Sequence, residues 1–377
     1  MSPILGRMSE FSVQAPARVN IIGEHTDYNG GFVLPTTTAL FTRVTATSRP
    51  DRNIKVRSQN YDDAQTFTLD NLRPAGEVTW VDYVRGVAAE LQAAGVSLQG
   101  LNIDIDSDIP LGGGLSSSAS LELAVATAML RIADATVAPD RLARLCQRAE
   151  HAYAGVQCGI MDQYTIACAQ KGNAILLDCR SLDVVQVAIP DDVRLIVTDS
   201  GIRHRLPDGD YNNRADECAA AVRLLAEVIP GLTTLRDLHT DALEEHKKLL
   251  GDVLYRRCRH IVTENSRVHR AVEAMDNADL KQLGALLNAC HTSLRDDFEI
   301  SCAEADVLVD VCNACDGVIG SRMIGGGFGG CVLSLTTADA VDESVAQIAR
   351  NYGQVLGEEP WLHVVEAADP VREVGAR

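Results

Sequence analysis

No stretch of this sequence is apolar for long enough to cross a bilayer. The most apolar run, Leu121 to Leu130, stops at Arg131, far short of the roughly 20 residues a spanning helix needs. The opening residues, MSPILGRMSEFSV, lack the apolar centre of a secretory signal, so a cytoplasmic location is the expectation. Positive charge is scarce as well: 34 Lys and Arg stand against 52 Asp and Glu, giving a net charge of −18. A surface of that sign repels the phosphate backbone of nucleic acids and anionic membranes, which leaves small molecules as the expected partners.

Cysteine is missing from the first 145 residues, and the 11 that follow run from Cys146 to Cys331. An odd count without framework spacing does not fit a disulfide-built secreted domain and predicts buried thiols. Cys312 and Cys315 form one C-x-x-C. With no second pair or spaced His pair beside it, zinc is poorly supported, and a three-residue spacing along the inner face of a helix explains it better. Repeats, low-complexity tracts and long charge runs are absent too, so the organisation must be read from the alternation of strand-like and helix-like segments.

What is present fits an ordinary folded protein of more than one domain. At 377 residues the chain exceeds the roughly 250–300 at which one core stops growing. Its 46% hydrophobic and 23% charged residues are a globular composition. Residues 10–200 mix short apolar runs with two amphipathic helices, near 118–133 and 140–154; in the second, Leu142, Leu145, Cys146, Ala149 and Tyr153 share a face. The strand-like run Val193 to Val197 then leads into mostly helical patterns up to about Ala314. Two strand-like pieces between Val318 and Leu335 flank a run of glycines, followed by a helix near 339–352 and an apolar run at 362–365. The expected division is 1–200 and 201–377, with strands and helices mixed in both parts and a cleft between them.

Four clusters carry chemistry. PLGGGLSSSAS, residues 110–120, runs straight into the helix of Leu121, Val125 and Met129. Glycines let backbone N–H groups crowd an anion, the helix start adds free N–H groups and dipole, and serines can bond phosphate or ligate Mg²⁺. No Lys follows the glycines, so this is not the G-x-x-x-x-G-K-[ST] loop. The bland alternative is a glycine turn with a serine cap. GGGFGGCV, residues 325–332, formally matches two nucleotide patterns. The residues after it look like a strand rather than a helix, and only 45 remain after Val332 for the rest of a protein kinase. A hairpin loop remains, serving either as a tight turn or as packing against substrates or the first loop.

Glu24, His25 and Asp27 sit in a dense polar loop after the strand-like start at Arg18. They are too close in sequence to surround a metal easily. Carboxylate acceptors beside a His suit a polyol, each acceptor taking bonds from neighbouring hydroxyls, while a solvated turn is the default for any one of them. Glu150, at the edge of a buried helical face, wants a partner such as Mg²⁺. Asp162 at a helix start reads as an N-cap or as the acceptor of a hydroxyl proton.

In this order and spacing, the four clusters resemble the galactokinases of the GHMP small-molecule kinase superfamily, and the resemblance covers nearly the whole chain. GEHTDYNGGFVLP after ARVN is its most specific piece, PLGGGLSSSAS and GGGFGGC resemble the superfamily's phosphate and closing motifs, and GIMDQ resembles the catalytic segment. Ala17 departs from the family, which often has Gly there, but removes no functional group.

The resemblance implies an α+β two-domain GHMP kinase fold. Its N-terminal domain would be like ribosomal protein S5 domain 2, its C-terminal domain ferredoxin-like, and the active site would lie between them. By similarity, Glu24, His25, Thr26 and Asp27, with Gly159 and Tyr211, would hold the sugar. Gly112, Gly113, Gly114, Leu115, Ser116, Ser117 and Ser118 would wrap the phosphates of ATP, with Ser58 and Arg203 on the nucleotide side. Ser118 and Glu150 would hold Mg²⁺, and Asp162 and Arg18 would flank the reacting hydroxyl. The implied reaction is phosphorylation of the 1-hydroxyl of α-D-galactose by ATP, with no obligate protein partner. A kinase for N-acetylgalactosamine or arabinose remains an alternative, as does a non-catalytic galactose sensor, although the serine-alanine stretch of the phosphate loop is intact.

Overall fold

The structure, a computed structural model, describes residues 10–375 apart from 75, 204–209 and 358. The chain begins β1 (Phe11–Asn20), β2 (Phe32–Val33), β3 (Pro35–Arg49), β4 (Asn53–Ser58) and β5 (Asp63–Thr68). It continues α1 (Trp80–Ala93), β6 (Gly100–Ser107), α2 (Ser117–Ile132), α3 (Pro139–Ala149), α4 (Met161–Cys168), β7 (Asn173–Asp178) and β8 (Val184–Ala188). After β9 (Val193–Arg203) come α5 (Asp210–Ala226), α6 (Thr240–Glu245), α7 (Lys247–Asp276), α8 (Leu280–Ser293) and α9 (Ala303–Asn313). The chain then closes with β10 (Val318–Met323), β11 (Gly329–Thr337), α10 (Val341–Leu356), β12 (Trp361–Val364) and β13 (Arg372–Val374).

Three sheets result. The six-stranded sheet has the order β13-β1-β3-β6-β4-β5, the four-stranded β10-β11-β9-β12, and the three-stranded β2-β7-β8. All pairings are antiparallel except β4 with β6. Period-two alternation shows why β6 is a strand: Leu101, Ile103 and Ile105 are buried on one side while more exposed polar residues alternate with them. Those three pack with α1 to α4 in the first core. A second core gathers α5 to α8 against β9 and β11, and a third puts α9 and α10 on the four-stranded sheet.

β1 passes from one core to the next. Val13 and Ala15 pack in the first; the register with β3 then slips between Pro16 and Ala17, and Ala17 and Val19 pack in the second. A bulge re-aims the strand, which is how Arg18 comes to stand at the junction of the two cores. The methyl of Ala17 is fully buried there.

The helix expected over 140–154 is α only as far as Ala149. Pro139 opens it at a first-turn position, Leu142, Leu145, Cys146 and Ala149 form the buried face, and from Glu150 to Ala154 the turn widens to π before Gly155 ends it at φ 71°. Cys312 lies on α9, but Cys315 falls beyond the end of that helix; all eleven cysteines are free thiols. The hairpin around the second glycine cluster is β10 and β11. No described helix is long and apolar enough to cross a membrane.

Candidate active site

The loop after β1 folds back on itself through two left-handed residues, Gly23 at φ 106° and His25 at φ 62°. Thr26 braces it: its hydroxyl lies 2.9 Å from the Gly23 carbonyl and 2.6 Å from that of Phe32. The brace turns Thr26 into the protein, and it is not on the pocket wall, whereas Glu24, His25 and Asp27 are. Buried Glu264 of α7 accepts the Gly23 N–H at 2.8 Å and anchors the loop from behind.

One cavity brings together Glu24, His25, Asp27, Gly159 and Tyr211 with Arg18, Asp162 and Glu150. Among the sugar residues implied by sequence, Thr26 alone does not face it. Gly159 abuts Asp27 so closely that a Cβ there would strike the carboxylate. The His25 ring lies between Tyr211 and Phe298, with centroids 5.2 and 4.8 Å away. Its Nδ1 is 2.8 Å from the Tyr28 hydroxyl, while Nε2 is buried without a protein partner. Burial first, then the charge of His260, pushes the His25 imidazole down to about 3, so it is neutral at ordinary pH.

Arg18 and Asp162, 144 positions apart, meet as a bidentate pair: Nε to Oδ1 at 2.7 Å and Nη2 to Oδ2 at 2.8 Å. The remaining Arg18 nitrogen, Nη1, donates to the Gly114 carbonyl at 2.6 Å, and Ser116 Oγ donates to Asp162 at 2.5 Å. Asp162 is therefore tied to the first glycine loop rather than acting as a helix cap. Its negative charge has neighbours: burial first and then Asp162 push Asp27 up to about 7 and Glu150 likewise to about 7.

In the first glycine loop, positive φ at Gly112, Gly114 and Ser116 turns the chain into α2. Gly112, Ser117 and Ser118 line a second cavity together with Ser58. Leu115 instead buries its side chain in the second core, and Gly113 and Gly114 press against Cys331 and the Ile324–Gly325 backbone. The second glycine cluster thus packs on the first. The Arg203 side chain lies outside the described residues.

Tyr61, Trp80 and Tyr83 also line this cavity, with the Tyr61 and Trp80 rings nearly parallel, 9° apart. Sequence reasoning passed over them; the only signal was the three-residue spacing of Trp80 and Tyr83, which puts both on one face of α1. It also passed over Glu122 and Gln163, both fully buried. The Gln163 amide nitrogen donates to Glu150 at 2.7 Å and to Glu122 at 3.1 Å. The Ser118 hydroxyl and the Cys158 thiol also hydrogen-bond Glu150.

Among the described residues no cluster of three or more His, Cys, Asp or Glu forms a metal cage. Ser118 and Glu150 fit a different case, a Mg²⁺ that takes one carboxylate from protein and the rest of its oxygens from phosphate and water. The concentration of buried carboxyls here, with Glu122 and Glu150 both pushed upward mainly by burial, is where a divalent cation would offset charge.

Three family patterns match stretches of this chain. The GHMP kinases N terminal domain matches residues 82–170, the GHMP kinases C terminal domain residues 271–354, and the galactokinase galactose-binding signature residues 4–48. A Methanococcus jannaschii mevalonate kinase shares the fold, with a TM-score of 0.68 at 18% identity over 96% of this chain and 100% of that one. Fold and site together thus have the form of a GHMP small-molecule kinase. A galactokinase of Chloroflexus aggregans is 45% identical over 90% of this chain and 87% of its own, and one of Haemophilus influenzae 39% over 97% and 96%. The structure of Lactococcus lactis galactokinase complexed with galactose superposes with a TM-score of 0.93 at 33% identity, covering 97% of this chain and 95% of that one. The chain belongs to the galactokinase family.

Proposed function

We propose that this ATP-dependent sugar kinase phosphorylates the 1-hydroxyl of α-D-galactose, giving galactose 1-phosphate and ADP. The observation that carries the reading is the Arg18–Asp162 pair, which borders the sugar-sized cavity on one side and is bonded through Gly114 and Ser116 to the phosphate loop on the other. A hydroxyl held in that cavity has a carboxylate and a guanidinium at the point where a phosphoryl group would arrive.

Transfer is direct. The sugar oxygen bonds to the γ-phosphorus as the bond from that phosphorus to the β,γ-bridging oxygen breaks, and Asp162 takes the hydroxyl proton. Arg18 holds the Asp162 carboxylate in place through its two parallel N–H donors and stabilises charge developing on the phosphoryl oxygens. Glu24, Asp27 and neutral His25 orient the sugar hydroxyls, with Tyr211 over the ring and Gly159 leaving room for the Asp27 carboxylate. Gly112, Ser117 and Ser118 face the triphosphate, and Ser58, Tyr61, Trp80 and Tyr83 the nucleoside. Ser118 and Glu150 would hold Mg²⁺, which neutralises phosphate charge when bound.

We keep a division near residue 200, with 201–377 closing the cleft, and a cytoplasmic setting with no obligate protein partner, as parts of the same proposal. Tyr211 and Gly325 reach the cavity from the second part and support the division, but the parts share strands across it: β9 (Val193–Arg203) straddles residue 200 within the four-stranded sheet, and β13 returns to the first sheet. The test is ADP release from Mg-ATP with galactose, N-acetylgalactosamine, glucose and arabinose in parallel, with Asp162→Ala as control. Galactose-dependent turnover lost in the variant is expected. Turnover with another sugar alone would overturn the substrate, and none with any sugar would point to a sensor.

A further inference from the structure

Arg322 is the largest fully buried side chain among the described residues, and phosphoryl transfer as derived above makes no use of it. It stands near the end of β10, just before the second glycine loop. Its Nε donates to the Ile21 carbonyl at 2.8 Å, Nη1 to the Met323 carbonyl at 2.8 Å and to Glu24 Oε1 at 3.0 Å, and Nη2 to the Asn20 carbonyl. A guanidinium is tolerated without solvent only when its donors are matched in this way. Three of the acceptors belong to residues 20–24, some 300 positions away.

The same Glu24 oxygen takes the Gly325 N–H at 3.0 Å. With Oε1 held by two donors, Oε2 is the oxygen left to face a ligand in the cavity that Glu24 lines. Gly325 in turn lies on Gly114: a Cβ built at either would meet the backbone of the other, and both sit at positive φ, 82° and 78°. Residues 322–325 thus touch the sugar loop with one face and the phosphate loop with the other.

We propose that Arg322 is a positioning residue for the sugar: it sets the Glu24 carboxylate and locks the sugar loop to the second glycine loop, in register with the phosphate loop. The inference rests on the reading that Glu24 meets a sugar hydroxyl. It separates from a merely structural role because the loss on removing Arg322 falls on sugar capture rather than on nucleotide binding.

The experiment measures kcat and the KM values for galactose and ATP in Arg322→Met, Arg322→Lys, Glu24→Gln and the double variant Glu24→Gln/Arg322→Met, with circular dichroism and Tm to establish folding. The galactose KM of Arg322→Met is expected to rise at least about tenfold, the usual scale for breaking a buried hydrogen-bonded charge pair, and the ATP KM to stay within about threefold. Arg322→Lys, which keeps the charge but not the fork, should fall between. The double variant should lose less than the product of the single losses, because both remove one interaction. An unchanged galactose KM in a folded variant would overturn the proposal, as would equal rises in both KM values, strictly multiplicative losses, or failure of both Arg322 variants to fold. Wild-type turnover with galactose, measured alongside, tests the substrate reading separately.

Discussion

The Asp27 carboxylate occupies the space that a side chain at Gly159 would need. Gly159 has no left-handed backbone to explain it, so the missing Cβ serves clearance alone. Gly159→Ala is therefore expected to displace Asp27 and raise the galactose KM about tenfold, as overpacking costs of about 1–3 kcal/mol imply. The ATP KM should change little, while the Tm should fall by a few degrees because the same overpacking strains the fold; steady-state kinetics and a melting curve check both.

Asp162→Asn keeps the shape of the residue that Arg18 grips and removes the proton acceptor. A fall in kcat of about 10²–10⁴ is expected, with ATP binding retained by calorimetry. A variant with near-normal kcat would transfer the main burden to Arg18.

Sugar capture should weaken as pH falls. Burial, and then the charge of Asp162, push the Asp27 carboxyl up to about 7; Glu24 acts in the same direction and Arg18 against it. Its ionised form is the hydroxyl acceptor, so protonation on descending through about 7 removes acceptor capacity, while His25, pushed down to about 3, stays neutral throughout. The galactose KM measured between about pH 8 and pH 6 should rise toward acid, and Asp27→Asn should bind weakly with that dependence flattened.

Gln163→Leu removes the amide shared by Glu150 and Glu122. The Mg²⁺ concentration for half-maximal activity is expected to rise about tenfold or more, the usual range for groups that orient a metal ligand, and direct Mn²⁺ titration should show the same weakening. An unaltered metal requirement would argue that Ser118 and Cys158 suffice to orient Glu150.

On the nucleotide side, Trp80→Ala should raise the ATP KM about fivefold or more if the base stacks there, leaving the galactose KM in place. Parallel KM measurements for the two substrates decide it.

The polar words of the sequence were easier to read than their orientation. Arg18 and Asp162 each stood out in a motif, but only the fold brings them together, because the register slip at Pro16–Ala17 swings Arg18 toward the start of α4. Thr26 shared a motif with three pocket residues yet faces the opposite way, since its one hydroxyl proton is drawn to the Gly23 and Phe32 carbonyls of the loop. Glu122 lay hidden for a different reason. A charged residue on a helix is ordinarily placed outward, but α2 is enclosed between sheet and neighbouring helices and buries it completely. Arg322 likewise carries no local pattern that foretells four acceptors drawn from two ends of the chain. The α2 and β10–β11 elements, by contrast, follow directly from apolar periodicity and the flanking glycines, and their ends fall within a residue or two of expectation.

One strand makes the order of synthesis matter. The outer edge of β1 is covered by β13, with Ser12 beside Val374 and Gln14 beside Arg372. Until residues 372–374 leave the ribosome, the nascent first sheet has an open strand edge that can recruit another chain. The sheet that carries Arg18 is therefore complete only once residues 372–374 have been made, and a chain cut short before residue 372 would expose β1 to misassembly.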